Sequence, residues 1–222
     1  MSTPALVPVA PLARAKGRLA GVLDPGRREA LTLAMLEGVL EALRGAGFEP
    51  LVLTADVAVA AAAGDRATVI EESPDVEGLN AQLERALDLV DGAELLIALA
   101  DLPLATAASF AALAEAAPPA PSATLVVSRD GGTNAMLLRP PGRFPLAYGP
   151  ESGRRHAEAA RAAGMRVAQV DDPLLSVDLD TPDGVAMLAT IASSGALPDT
   201  PAVRLLRSWG MLPAASAGER PS

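Results

Sequence analysis

The sequence predicts a single α/β domain with a mostly parallel central sheet flanked by helices, and three observations carry that expectation. Short apolar runs recur along the chain, segments with helical spacing lie between them, and 222 residues suffice for one well-buried core with little left for a second.

The elements follow in order. The run "ALVPVA" at 5–10 reads as the first buried strand. Residues 25–44 form the clearest helix: Asp24 stands at the N-cap position and Pro25 at the first helical position. Leu31, Met35, Val39 and Leu43 mark one face, and Gly45 and Gly47 stop it. Strands are expected at 50–55, 67–70, 94–100 and 123–128, with further helices at 78–90, 106–117 and 152–163. Apolar residues after "DGGTN" (130–134) suggest one more buried strand. The domain is expected to span 1–193. From 194 to 222 the composition shifts to Pro, Ser and Ala, a tail in which "AVRLLRSWGML" has the spacing of one short docked helix carrying the only Trp.

Composition excludes several classes of function. A formal charge of -9 opposes a broad nucleic-acid surface, which needs clustered Lys and Arg to displace phosphate counterions. The absence of Cys removes disulfides, thiolate nucleophiles and Cys-ligated metals, and suits a cytoplasmic protein. No apolar run approaches the length of a membrane span, so no membrane association is expected.

Chemistry is expected beyond the carboxyl ends of the parallel strands, where α/β sheets bind ligands. Asp101 emerges directly after "ELLIALA", either as a functional carboxylate or as a cap for the following helix. In "SVDLDTPDG" the carboxylates of Asp178 and Asp180 share a side if the backbone is extended. Paired hard oxygens suit Mg2+; the alternative is an Asp-rich turn in which Asp180 or Thr181 caps a helix starting at Pro182. Arg14, Lys16 and Arg18 follow the first strand at alternate positions, as a phosphate contact or a solvated basic face. Their loop is not a Walker motif. Gly131 and Gly132 make either a tight turn or a close backbone approach to an anion, with Thr133 and Asn134 as donors. In "AYGPESGRRH", a glycine turn leads to Ser152 at a helix start suited to a carboxylate or phosphate. His156, the only histidine, is a surface or packing residue, or a base.

Taken together, "VPVAPLARAKGRLA", "GLNAQLERAL", "ALADLPL", "GGTNAMLLRP", "YGPESGRRH" and "VDLDTPDG", in this order over roughly residues 5–190, resemble the CofC/FbiD guanylyltransferases of coenzyme F-420 biosynthesis. These look like relatives of the MobA-type nucleotidyltransferases. The resemblance implies a Rossmann-like nucleotidyltransferase domain that joins GMP from GTP to the phosphate of a small three-carbon acid. The acid is phosphoenolpyruvate in bacterial members, and 2-phospho-L-lactate or 3-phosphoglycerate in others. It further implies Mg2+ held by Asp101, Asp178 and Asp180, which with Lys16 form the catalytic set. Thr133, Asn134, Gly149 and Ser152 would hold the acid; Lys16, Arg18 and Asn80 would meet the nucleotide. Functional coupling to the next enzyme of the pathway is implied as well. The chain departs from the family at Gly17, where relatives often have a hydroxyl residue, and at Ala10, where many have Lys. Two rivals remain open here: a MobA-like transferase with another acceptor, and a non-catalytic nucleotide-binding module.

Overall fold

A computed structural model describes residues 2–195 and 197–214; the end of the expected tail, 215–222, lies outside the described residues. Seven strands form one sheet: β1 (Thr3–Pro8), β2 (Phe48–Thr54), β3 (Thr68–Glu71), β4 (Leu95–Ala98), β5 (Ser122–Val127), β6 (Thr133–Arg139) and β7 (Arg166–Gln169). Their spatial order is β3-β2-β1-β4-β6-β5-β7. All neighbours are parallel except β6, which runs antiparallel to both β4 and β5. The mostly parallel sheet expected from the sequence is present.

Central strands bury both faces, which explains their continuous apolar runs. Ala5 and Val7 of β1 face one core cluster while Leu6 faces another; Leu96 and Ala98 of β4 part from Leu95 and Ile97 in the same way. Helix α1 (Pro25–Gly45) covers the first face with Leu36, Val39, Leu40 and Leu43. Asp24 caps it by accepting from the Arg27 N–H at 2.9 Å. Helix α2 (Val57–Ala63) packs there too, and α3 (Leu79–Leu87) lies on the opposite face through Leu83 and Ala86. Helix α4 (Ala107–Glu115) adds Phe110 and Leu113 to the first face, and α5 (Ser152–Ala162) adds Ala160 to the second.

Two elements escape the sequence reading. Helix α2 is an Ala/Val run without polar spacing, and β7 is a four-residue edge strand with no fully buried position. Hydrophobic periodicity carries little signal in either.

Helices α6 (Pro182–Ser194) and α7 (Pro201–Ser208) close a third cluster. In it Leu188, Val203 and Leu206 meet Leu31 and Met35 of α1, together with Val177 and Leu179. Trp209 follows α7 and stacks under the Arg27 guanidinium at 5.4 Å, which ties this segment to the start of α1. The cluster has a direct consequence for the site. Val177 and Leu179 are driven into it, so the alternate residues Asp178 and Asp180 are turned the other way.

Candidate active site

Beyond the carboxyl ends of β1 and β4 opens a cavity of about 1150 Å3. The loop at 8–16 forms one wall, the segment 71–79 with Gln82 another, and Leu99–Asp101 and Asp180 an end. Two side chains that the sequence reading did not single out shape these walls. Asp56 accepts from the Leu12 N–H at 2.8 Å while capping α2. The bond to Leu12 is the main reason its carboxyl titrates below the ordinary range, opposed by burial and helped by the two capping bonds. Gln82 bonds Ser73 and Val76 main-chain atoms, its amide donating to both carbonyls at 2.6 Å. An Asp directly before a small-residue helix was a capping signal available in the sequence; the Gln82 pairing, across a loop, was not.

Lys16 is the pivot of the charged end. Residues 12–14 and 17–19 form short 3-10 turns, and Lys16 between them has φ 55°, a left-handed conformation. The alternate-spacing argument for Arg14, Lys16 and Arg18 therefore fails, because this backbone is not extended: Arg14 and Arg18 are exposed, while the Lys16 side chain is only 7% exposed. Its Nζ lies 2.8 Å from Oδ2 of Asp101 and 3.8 Å from Oδ1 of Asp180, and Arg18 reaches the other Asp180 oxygen at 3.2 Å.

The expected helix cap at 180–181 is present in its Thr181 form, and the cap expected of Asp101 is supplied by another residue. Thr106, not Asp101, caps α4, and Thr181, not Asp180, caps α6. Neither carboxylate is spent on a helix cap, and both pair with the basic side chains at the cavity. A backbone bond from the Leu179 N–H to the Asp101 carbonyl at 3.1 Å sets the two acidic segments side by side. Asp178 has its pKa raised, chiefly by burial, then by the nearby Asp101 charge and to a smaller degree by Asp130, with Lys16 opposing. It thus stands electrostatically between the cavity end and the loop that bears Asp130. Oδ1 of Asp101 is buried and has no hydrogen-bond partner. Among the described residues no three acidic or imidazole side chains converge as a ready-made metal site.

A second structure lies beside the cavity, where the 128–134 turn meets the start of α5. Asp130 accepts from the Ser128 hydroxyl and, at 3.2 Å, from the Gly132 N–H. The Ser128 bond is the main cause of its lowered pKa. Gly131 has φ 89°, and its carbonyl receives the Gly153 N–H at 3.1 Å. A Cβ on Gly153 would lie 2.8 Å from both Val127 methyls and 3.1 Å from the Gly132 carbonyl, so only glycine lets these two loops touch. Gly149, at φ 126°, turns the chain into α5, and a Cβ there would meet the Arg155 guanidinium at 3.3 Å. Ser152 is buried at the first position of α5, and Arg155 beside it has a buried Nε without a partner.

Thr133 and Asn134 lead from this turn into β6. Asn134 donates its amide to the Leu175 carbonyl at 2.8 Å, which ties the turn to the segment preceding Asp178. Thr133 Oγ1 lies 2.9 Å from His156 Nδ1, and the Ala147 N–H donates to His156 Nε2 at 2.8 Å. His156 is fully buried, packs edge-on against Tyr148 at 4.8 Å, and is pushed down to a pKa of about 4, by burial first and then by the Arg155 charge. It is a neutral packing and bonding residue here, which settles the choice between its two sequence readings. Asn80 pairs with the Tyr148 main chain, accepting at 2.7 Å and donating at 3.2 Å, so its amide holds the 145–149 loop against α3.

The fold is shared with solved transferases. A crystal structure of a candidate nucleotide-diphospho-sugar transferase from Desulfovibrio desulfuricans G20 superposes with a TM-score of 0.77 at 16% identity, covering 94% of this chain and 95% of that one. Residues 3–208 match the family model "Guanylyl transferase CofC like", and the chain belongs to that family. It is 46% identical to a phosphoenolpyruvate guanylyltransferase from Rubrobacter xylanophilus, over 85% of this chain and 94% of the relative. It is 35% identical to a 2-phospho-L-lactate guanylyltransferase from Methanoregula boonei, over 85% and 83% respectively.

Proposed function

We propose that this chain transfers GMP from GTP to the phosphate of phosphoenolpyruvate, giving enolpyruvyl-diphospho-5'-guanosine and pyrophosphate, as a step of coenzyme F-420 biosynthesis in the cytoplasm. The observation that carries the reading is the Lys16–Asp101–Asp180 constellation at the end of a large cavity, with an anion-suited turn beside it. A cavity of about 1150 Å3 exceeds the usual small-ligand range of roughly 300–1,000 Å3 and accommodates a nucleoside triphosphate. The high identity to the Rubrobacter relative favours phosphoenolpyruvate as acceptor; the Methanoregula relative supports 2-phospho-L-lactate as the second reading.

In this reading GTP lies in the cavity with its phosphates toward Lys16 and Arg18. The acid lies at the turn of Gly131 to Asn134, with Gly149, Ser152 and the unpartnered Arg155 on the other side. A phosphate oxygen of the acid attacks the α-phosphorus of GTP; the new P–O bond forms as the bond to the β-phosphate oxygen breaks, and pyrophosphate leaves. The attacking oxygen is already ionised near neutral pH, so no general base is needed. This agrees with a histidine whose two ring nitrogens are both engaged.

The barrier is repulsion and alignment between two polyanions. Lys16 and Arg18 offset only part of the charge on Asp101, Asp178, Asp180 and Asp130, so the site calls for a cation. The buried Oδ1 of Asp101 and the surplus negative field at Asp178 fit Mg2+. Asp101, Asp178 and Asp180 would hold it, with waters and substrate phosphates completing its shell. A cation held there would supply neutralisation of phosphate charge, leaving Lys16 and Arg18 to orient the reacting groups. Asn80 pairs with the Tyr148 main chain and so steadies the loop on the acid side, while its neighbour Leu79 lines the cavity taken by the nucleotide. No helix among the described residues is long and apolar enough to cross a membrane.

The test is pyrophosphate release from GTP and Mg2+ with phosphoenolpyruvate, 2-phospho-L-lactate and 3-phosphoglycerate in parallel, with ATP as nucleotide control. Release with GTP and one acid confirms the reaction and names the acceptor. Binding of GTP with no release in any arm overturns it.

A further inference from the structure

The single histidine is fully buried between the acid turn and the Tyr148 loop, and its hydrogen bonds fix which nitrogen carries the proton. The Ala147 N–H can only donate, so Nε2 of His156 must be the accepting, unprotonated nitrogen. In the neutral ring Nδ1 then carries the hydrogen. Thr133 Oγ1, 2.9 Å away, is the acceptor of that bond. A hydroxyl that accepts from His156 still has its own proton to donate, and among the described residues nothing accepts it. Thr133 is itself buried, at 2% exposure, where a donor without an acceptor is costly.

We propose that His156 is a positioning residue that sets the Thr133 hydroxyl as a donor toward an oxyanion of the phosphorylated acid, resting on the function proposed above. The Ala147 amide imposes the tautomer, the tautomer imposes the direction of the Thr133 bond, and the hydroxyl proton is thereby reserved for the ligand. With the opposite tautomer, Thr133 would donate inward and present lone pairs to an anion. The relay explains why a histidine that takes no part in proton transfer is buried beside the acid turn.

Two substitutions separate this role from simple packing. In His156→Asn the amide nitrogen falls near Nδ1, so the donor to Thr133 is kept and the bond from Ala147 is lost. In His156→Gln the amide falls near Nε2, so the bond from Ala147 is kept and the donor is lost. The KM for phosphoenolpyruvate is expected to rise roughly tenfold in His156→Gln, the scale of one hydrogen bond to a charged group, and to stay within about threefold in His156→Asn, with the KM for GTP unchanged in both. Thr133→Val should raise the acid KM similarly, and the Thr133→Val/His156→Gln double variant should be no worse than the poorer single one. Melting curves confirm folding of each variant.

Additive effects in the double variant, or the reverse order of the two His156 variants, would show that His156 acts by holding the Ala147 loop and would overturn the relay. Normal acid KM in folded His156→Gln would do the same while leaving the guanylyltransferase reading intact. Wild-type protein that is silent with every acid overturns both.

Discussion

The two halves of the site are built in opposite ways. The cavity end depends on charge: Lys16, Arg18, Asp101 and Asp180 form a partly exposed ion-pair network whose members come from three separate chain segments. The 128–134 turn proposed for the acid depends mainly on sterics and hydrogen bonds: two glycine-bearing loops touch backbone to backbone, Asp130 holds the turn from within, and buried Thr133, Asn134 and His156 lock it. Charge tolerates small displacements, because Coulomb energy falls slowly with distance. Close backbone contact tolerates none. The first half should therefore lose function without losing the fold, and the second should lose stability as soon as its packing is disturbed.

The largest expected effect is at the charged end. Asp101→Asn removes the negative charge that pairs with Lys16 and turns one of the two carboxylate oxygens into an amide nitrogen, and should lower turnover by about a hundredfold or more, on the scale of losing one electrostatic contact to the reacting groups. The melting temperature should change little. A stopped assay accompanied by a thermal melt checks both, and near-normal turnover in the folded variant removes Asp101 from the site. Chelation with EDTA should abolish pyrophosphate release and added Mg2+ should restore it.

The 128–134 turn is expected to respond to pH through His156, whose imidazole is held down by burial and by the Arg155 charge. Above about pH 6.5 the imidazole is neutral in folded and unfolded chains alike. Between that value and the folded pKa of about 4 only the unfolded chain binds the proton, so stability falls as pH falls; the difference amounts to about 3 kcal/mol. Urea midpoints at pH 7.5 and pH 4.5 should therefore differ more for the wild type than for His156→Asn, which has nothing to titrate at this position. Equal pH dependence in the two proteins would assign the acid sensitivity to other groups.

The same contrast explains what could be read from the sequence. That Asp101, Asp178 and Asp180 would come near one another was legible, because one follows a buried strand and the other two stand at period two, although each pattern also had a capping use. Thr181 is the cap that one of the alternatives named, and Thr106 takes the capping position that Asp101 could have filled. The inward turn of Lys16 was not readable, since nothing in "ARAKGR" announces a left-handed lysine between two 3-10 turns. The glycines near 131 and 149 signalled a special backbone, but the partner of Gly153 lies across the fold at Val127, and a contact of that range leaves no local pattern. The sheet was mostly visible in its apolar runs. The reversed direction of β6 was not, because a strand buried on both faces looks the same in either direction.

Gly153→Ala probes the steric half directly. Its Cβ would press on both Val127 methyls and on the Gly132 carbonyl, and overpacking of this kind costs about 1–3 kcal/mol. A melting temperature several degrees lower is expected. Val127→Ala in the same chain clears the two methyls but not the carbonyl, so the double variant should recover part of the loss and not all of it. Full additivity of the two substitutions would mean that the loops do not meet at Gly153.

The smallest effect, and the one that joins the two halves, is expected at Arg155. It sits in the steric half and carries a charge with no ion pair among the described residues: its Nε is buried without a partner, and its guanidinium lies over Gly149, where a side chain would have to push it aside. Neighbouring Arg154 is paired with Glu151 and Glu158, so the two arginines differ in what they have left to bind. Arg155→Gln should raise the KM for the acid roughly tenfold and leave the KM for GTP unchanged, whereas Arg154→Gln should alter neither. An equal rise for both substrates would instead assign Arg155 to the general field of the site, and the division between a charged nucleotide end and a steric acid turn would have to be redrawn.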